Sequence, residues 1–307
     1  MFKVVLNLFF AGIFLQAQAM TPATSIMPSD NLILENRDIT ASLPLKDLNK
    51  KSLGVKVTAK SFMVVEPKTG SVIYEKNSQE KRSIASLTKL MTALTFLDFN
   101  PGWDQEYTVT TSDLRWGAKP ILMPGEKVKV KDLFYVMMVA SSNESAIALA
   151  RATGLSQEEF VKQMNFRAKL LGMNDSKFVE PSGLDSNNKS TAKDLIKLID
   201  VVFSHSEIRK AGATKEYNFK ILNKNETRTI YSTDKILDME FGFKDQLYKL
   251  EAGKTGYLDD AGYCFASQIR DQNNRKLLIT VLGSSTIYDR FSDTKSLAYW
   301  VFNNFKW

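Results

Sequence analysis

Ser86 and Lys89 stand three residues apart at the head of an apolar run, Leu87, Leu90, Met91, Leu94 and Leu97, that repeats at helical spacing. A serine hydroxyl is a weak nucleophile until a neighbouring base takes its proton. Residues three apart on a helix share a face, so this pair has the reach for covalent catalysis. A place at the start of a helix also favours negative charge developing at an oxyanion. The chain has one histidine, His205, and one cysteine, Cys264. That rules out any disulfide within the chain and most zinc sites, and leaves a histidine-based triad without support. A hydrolase built on this chain therefore needs another base, and Lys89 is the candidate. To serve near neutrality it must fall about three pH units from about 10.4, worth roughly 4 kcal/mol. Partial burial and a second cation, Lys254, are the expected sources of that fall.

Short motifs recur by chance, so context has to choose among them. S-x-x-K also starts at Ser78, Ser186, Ser190, Ser232 and Ser292. These fall in a charged loop, in polar loops or turns, or, for Ser190, at an expected helix N-cap with Asp194 in the first turns. S-x-N occurs at Ser29-Asp30-Asn31, Ser141-Ser142-Asn143 and Ser186-Asn187-Asn188. K-T-G occurs at Lys68-Thr69-Gly70, which reads as a hairpin turn, and at Lys254-Thr255-Gly256. Only 86–89, 141–143 and 254–256 combine a helix start, a break between helices and a late strand, in that order. Gly253-Lys254-Thr255 is no phosphate loop, because Tyr248 stands where its first glycine belongs. No G-x-S-x-G, H-E-x-x-H, C-x-x-C or G-x-G-x-x-G occurs, and neither a metal nor a cofactor is expected.

The surrounding sequence supplies elements to hold these residues. Lys3, an apolar stretch from Val4 to Leu15 and Ala17-Gln18-Ala19 read as a secretory signal over 1–19, too short to span a bilayer comfortably. Residues 20–55 read as an irregular exported arm and 56–307 as the folded domain. SFMVVE, the turn at 67–70 and SVIYEKN form a hairpin, and the helix from Ser86 stops at Asn100-Pro101-Gly102. LFYVMMVA and ESAIALARA are expected helices, followed by helices at EEFVKQMNFRAKLLG and TAKDLIKLIDVVF. YCFASQI and KLLITVLGS are strands before a last helix around TKSLAYWVFNNF, which reads as core packing. Strands at both ends with helices between them suggest a helix-covered sheet with a helical subdomain over roughly 106–240 and a cleft between the two. The net charge of +7 is spread along the chain without a basic block, so nucleic acid is not an expected partner.

S-x-x-K, S-x-N and K-T-G are the signatures of penicillin-binding proteins and class A β-lactamases. The chain resembles the D-alanyl-D-alanine carboxypeptidase and endopeptidase family of low-molecular-mass penicillin-binding proteins. IASLTKLMTAL, VMMVASSNESAIALA, LGMNDSKFVEPSGLD, STAKDLIKL and EAGKTGYLDDAGYCFAS carry the likeness, in family order, across about residues 60–305. The resemblance implies an α+β fold of the β-lactamase/transpeptidase kind, an antiparallel sheet packed with helices plus a mainly helical subdomain. It implies Ser86 as nucleophile, Lys89 as its base and Ser141 as a proton relay. Asn143, Lys254, Thr255 and Gly256 would bind substrate, and the backbone N–H groups of Ser86 and Tyr257 would form the oxyanion hole. The implied partners are peptidoglycan stem peptides and crosslinks, with β-lactam antibiotics as covalent inhibitors. About fifty residues follow Gly256, a layout similar to the single-domain endopeptidases (penicillin-binding protein seven type). That favours D-Ala–diaminopimelate crosslinks as substrate, a periplasmic location and no permanent membrane anchor. The alternatives are a D-alanyl-D-alanine carboxypeptidase, a class A-like β-lactamase using Glu180 and a non-catalytic wall-binding protein.

Overall fold

The computed structural model describes residues 43–307 apart from 53, 116–118, 239–240 and 244–245. The expected signal at 1–19 and residues 20–42 of the expected arm lie outside the described residues. Along the chain come β1 (Leu45–Lys46), β2 (Ser61–Glu66), β3 (Ser71–Lys76), β4 (Arg82–Ser83) and α1 (Thr88–Asp98). Then follow β5 (Glu106–Thr108), β6 (Lys127–Lys129), α2 (Val130–Val139), α3 (Asn143–Ala152), α4 (Gln157–Leu170), β7 (Lys189–Ser190), α5 (Ala192–Val202) and α6 (Ser206–Gly212). β8 (Glu216–Ile221), β9 (Glu226–Tyr231), β10 (Phe241–Phe243), β11 (Gln246–Leu258), β12 (Gly262–Asp271), β13 (Lys276–Ser284), α7 (Asp289–Asn304) and β14 (Phe305–Lys306) complete the chain.

The fold is α+β, organised on a six-stranded sheet in the order β10-β11-β12-β13-β2-β3 with every neighbouring pair antiparallel. Alternation along β13 divides the core. Leu277, Ile279 and Val281 join Phe265, Leu297 and Val301 on the α7 face, while Leu278 and Leu282 join the cluster that holds α1 and α5. The segment expected as a helical subdomain contains α2 to α6, but also the pairs β5–β6 and β8–β9.

The helix after Ser86 differs from the amphipathic surface helix suggested by its leucines. Every residue of α1 from Thr88 to Phe96 is buried, including Thr88, Thr92 and Thr95. α1 packs against α2, α3, α4 and α5, so no face is left for solvent. Thr92 Oγ1 donates to the Pro181 carbonyl at 2.6 Å, whereas the buried Thr88 and Thr95 hydroxyls have no hydrogen-bond partner among the described residues. Ser190 is also placed differently. It lies in β7 and bonds Ser176, while Thr191 caps α5 by accepting from the Asp194 N–H at 3.0 Å. Lys68-Thr69-Gly70 forms the turn between β2 and β3, with Gly70 at φ +72°.

Candidate active site

Ser86 occupies a single 3-10 turn, Ala85–Leu87, directly before α1. Ala85 is held at φ +48°, a region L-residues rarely adopt, so this turn depends on its surroundings. Two glycines supply them. A Cβ on Gly183, itself at φ +84°, would lie 2.1 Å from the Ala85 carbonyl oxygen. A Cβ on Gly256 of β11 would lie 2.9 Å from the Ile84 carbonyl oxygen and 3.3 Å from Ser86 N. Only glycine allows the loop and the strand to close on the turn from two sides.

Lys89 points back along α1 under the serine. Its Nζ lies 2.9 Å from Ser86 Oγ, 2.7 Å from Asn143 Oδ1 and 2.5 Å from the Ser182 carbonyl oxygen. The side chain is fully buried, and burial lowers its pKa from 10.5 to about 7 against the opposing pull of Glu180 and Glu144. A neutral amine has two N–H groups and one lone pair. With the N–H groups on Asn143 and Ser182, the lone pair is left for the Ser86 hydroxyl. Burial is complete, where the sequence suggested partial burial.

Lys254 is the second buried lysine of the site. Its pKa is driven well below the ordinary lysine value by burial, then by Lys89 and Arg290, with Asp234 opposing. Lys254 Nζ donates to Ser141 Oγ at 2.8 Å and to the Thr255 carbonyl at 3.1 Å. Ser141, at φ +60°, lies in the break between α2 and α3, and Asn143 opens α3 behind the Ser142 cap. The expected S-x-N residues are thus divided between the lysines, Ser141 on Lys254 and Asn143 on Lys89. The hydroxyls of Thr255 and Thr233 lie 2.6 Å apart, and Arg290 Nη1 donates to the Gly256 carbonyl at 3.2 Å. Tyr257 stacks on Tyr263 at 4.3 Å beside the Ser86 turn.

The motifs do not identify the Glu180–Gly183 loop as part of the site. Both Glu180 oxygens are engaged there, accepting from Ser182 N and Oγ at 2.6 Å each, from Asn188 Nδ2 at 2.6 Å, and from Gly183 N. These bonds fix the Ser182 carbonyl on Lys89. Glu-Pro-Ser-Gly is a loop signal in the sequence, but nothing local shows that its carbonyl meets a lysine. Among the described residues no group of three or more His, Cys, Asp or Glu side chains converges as a metal site would. Nor is any described helix long and apolar enough to cross a membrane.

A serine paired with a buried lysine, and a second buried lysine on a neighbouring strand, prompt comparison with known proteins. Residues 47–286 match the family model described as D-alanyl-D-alanine carboxypeptidase (peptidase S11). The chain belongs to this family of serine peptidases. It is 30% identical over 247 residues to the D-alanyl-D-alanine endopeptidase of Escherichia coli, covering 80% of this chain and 77% of that one. It is also 30% identical to a D-alanyl-D-alanine carboxypeptidase of Bacillus subtilis, covering 81% of this chain but 63% of the relative, so it spans less than two thirds of that protein. A cefotaxime-bound penicillin-binding protein of Listeria monocytogenes superposes with a TM-score of 0.69 at 29% identity, covering 82% of this chain and all of that chain. Within this DD-peptidase family the fold is the expected penicillin-binding one, and its members include both endopeptidases and carboxypeptidases.

Proposed function

We propose that the chain hydrolyses D-Ala-containing peptide bonds of peptidoglycan through an acyl-enzyme on Ser86, with the D-Ala–diaminopimelate crosslink as its main substrate. The observation that carries this reading is the Lys89 amine, 2.9 Å from Ser86 Oγ and lowered to about 7 by burial. Ser86 Oγ adds to the carbonyl carbon while its proton passes to the Lys89 lone pair. The oxyanion is met by the backbone N–H groups of Ser86 and of Tyr257, the residue after Gly256, whose close approach to the Ser86 turn supports this pairing. The C–N bond breaks as Ser141, backed by Lys254, relays the proton held on Lys89 to the departing amine, which leaves Lys89 neutral again. Water then cleaves the ester, with Lys89 taking the proton from water and passing it to the departing Ser86 Oγ. Lys254 and Thr255 bind the carboxylate next to the scissile bond, which stabilises the charged form of a lysine otherwise pushed toward neutrality. Gly256 lets the substrate backbone approach, and Asn143 offers its amide to substrate while holding Lys89.

The endopeptidase relative is matched over a larger share of its length than the carboxypeptidase relative, which supports the crosslink as substrate. Lys3, the apolar stretch Val4–Leu15 and Ala17-Gln18-Ala19 support export to the periplasm. β-Lactams would acylate Ser86, as the cefotaxime-bound relative suggests. Glu180, with both oxygens engaged by its own loop, is poorly placed as the deacylating base of a β-lactamase.

The test is digestion of purified crosslinked muropeptides. DD-crosslinked dimers should become monomers faster than monomeric pentapeptide loses its terminal D-alanine, and Ser86→Ala should abolish both reactions and covalent penicillin labelling. Faster trimming of the pentapeptide would make this a carboxypeptidase. A β-lactam adduct on another serine would overturn the site.

A further inference from the structure

A second cavity with a charged lining lies beside the strand pair that leads into the Ser86 turn. β4 pairs with β7 just before the Ser86 turn, and the β11–β12 turn carries Asp260. Between them lies a cavity of about 240 Å³ lined by Lys81, Arg82, Ser83, Ser186, Lys189 and Asp260. None of these residues has a part in the steps above.

The hollow has the features of an unfilled site. Ser83 is only 7% exposed, and its Oγ has no hydrogen-bond partner; the buried Arg82 Nε is in the same condition. A buried hydroxyl without a partner is unfavourable, and a ligand acceptor would remove that cost. Lys81 pairs with Asp175 at 2.9 Å and Arg82 with Glu80 at 2.6 Å. Lys189 and Asp260 are both exposed, and neither has an ion-pair partner among the described residues. The hollow therefore offers a free ammonium and an unsatisfied hydroxyl on one wall and a free carboxylate on the other. That is the complement of a zwitterion.

Its position identifies which part of a substrate could reach it. β11 runs from Lys254 and Thr255, past Gly256 beside Ser86, toward Asp260. A substrate with its carboxylate at Lys254 has its acyl side over Gly256–Leu258, heading for the hollow. β11 ends at Leu258 and Asp260 lies in the turn, so Gly256 and Asp260 are at most about 13 Å apart. One extended residue and a long diamino-acid side chain reach on the order of 10 Å, a comparable distance.

We propose that this hollow binds the free amino-acid end of a diaminopimelate-type side chain on the donor stem peptide. The carboxylate lies on Ser83 and Lys189 and the ammonium on Asp260. The assignment rests on the DD-peptidase reading of the cleft and adds to it the residue preferred one position before the acylating D-alanine.

Two penicillins with a common nucleus test it, one with a zwitterionic α-aminoadipyl side chain and one with a hexanoyl chain of similar length. The second-order rate of Ser86 acylation is followed by mass spectrometry for the wild type, Lys189→Met and Asp260→Asn. Both substituted residues are exposed, so the variants should fold. The wild type should favour the zwitterionic penicillin by about tenfold, the worth of one charge-assisted bond, and each variant should lose most of that preference. A wild-type ratio near one, or a ratio that survives both substitutions, overturns the proposal. No adduct on Ser86 from either penicillin overturns the DD-peptidase reading itself.

Discussion

Lys89 links the stability of this protein to its chemistry, and pH separates the two. Its pKa falls from 10.5 in the unfolded chain to about 7 in the fold, a difference worth about 5 kcal/mol at about 1.36 kcal/mol per pH unit. The side chain is fully buried, so solvent does not screen this term. Because the folded value is the lower one, the unfolded chain binds more protons between pH 7 and 10.5, and this contribution to stability rises across that window. At pH 7, where half of Lys89 is neutral, about 4 kcal/mol of it remains unrealised. Lys89→Met removes the titration. The stability advantage of wild type over Lys89→Met should therefore grow by several kcal/mol from pH 7 to 10.5, read from urea unfolding. Acylation needs the neutral amine, so kcat/KM should fall about tenfold per pH unit below 7. Lys89→Arg, whose guanidinium stays protonated, should lose at least about 10² in rate at every pH. Rates flat from about pH 5 to 9, with no extra stability gain in wild type over the methionine variant, would refute Lys89 as the base.

The other expectations concern the rest of the site. Lys254→Ala should cost about 10² or more in kcat/KM, whereas Lys68→Ala, in the hairpin copy of K-T-G, should change it no more than a few-fold; similar losses from both would mean that the wrong copy had been chosen. Gly183→Ala meets the Ala85 carbonyl at 2.1 Å and should destabilise by more than about 3 kcal/mol in thermal unfolding. Gly102→Ala, at φ +124° with nothing within 4 Å, should cost only about 1 kcal/mol; equal losses would remove steric closure as the reason for Gly183. Glu180→Gln loosens the loop that sets the Ser182 carbonyl and should slow penicillin acylation about tenfold with little change in adduct lifetime. A lifetime longer by about 10² would make Glu180 a hydrolytic base and favour the β-lactamase alternative.

The parts of the fold that follow local rules were legible in the sequence. The β2–β3 hairpin carries its turn residues, and α2, α3, α4 and α5 carry apolar repeats and polar starts. β8 also has a local signal: Tyr217, Phe219 and Ile221 alternate at period two, but inside a stretch whose helices dominate the pattern. β11 is harder to read, because Tyr248, Leu250 and Ala252 alternate with Lys249 and Glu251, but Gly253, Lys254, Thr255 and Gly256 then break the pattern. Its strand character comes from pairing with β12 and from a site that needs Lys254 buried.

The candidate site divides along the same line. Ser86 and Lys89 are legible because three residues along a helix fix their mutual reach whatever surrounds them. The basicity of Lys89 is not, because it depends on how completely α1 is enclosed, and the threonines along one face of that helix read as surface until other helices cover them. Nor can any spacing show that Glu180, ninety-one residues beyond Lys89, sets the carbonyl that receives its amine. That carbonyl and Asn143 take the two N–H groups of a neutral lysine and turn its lone pair toward Ser86. In the proposed mechanism motif residues supply the reacting atoms, and a loop outside the three short motifs sets the direction in which one of them is a base.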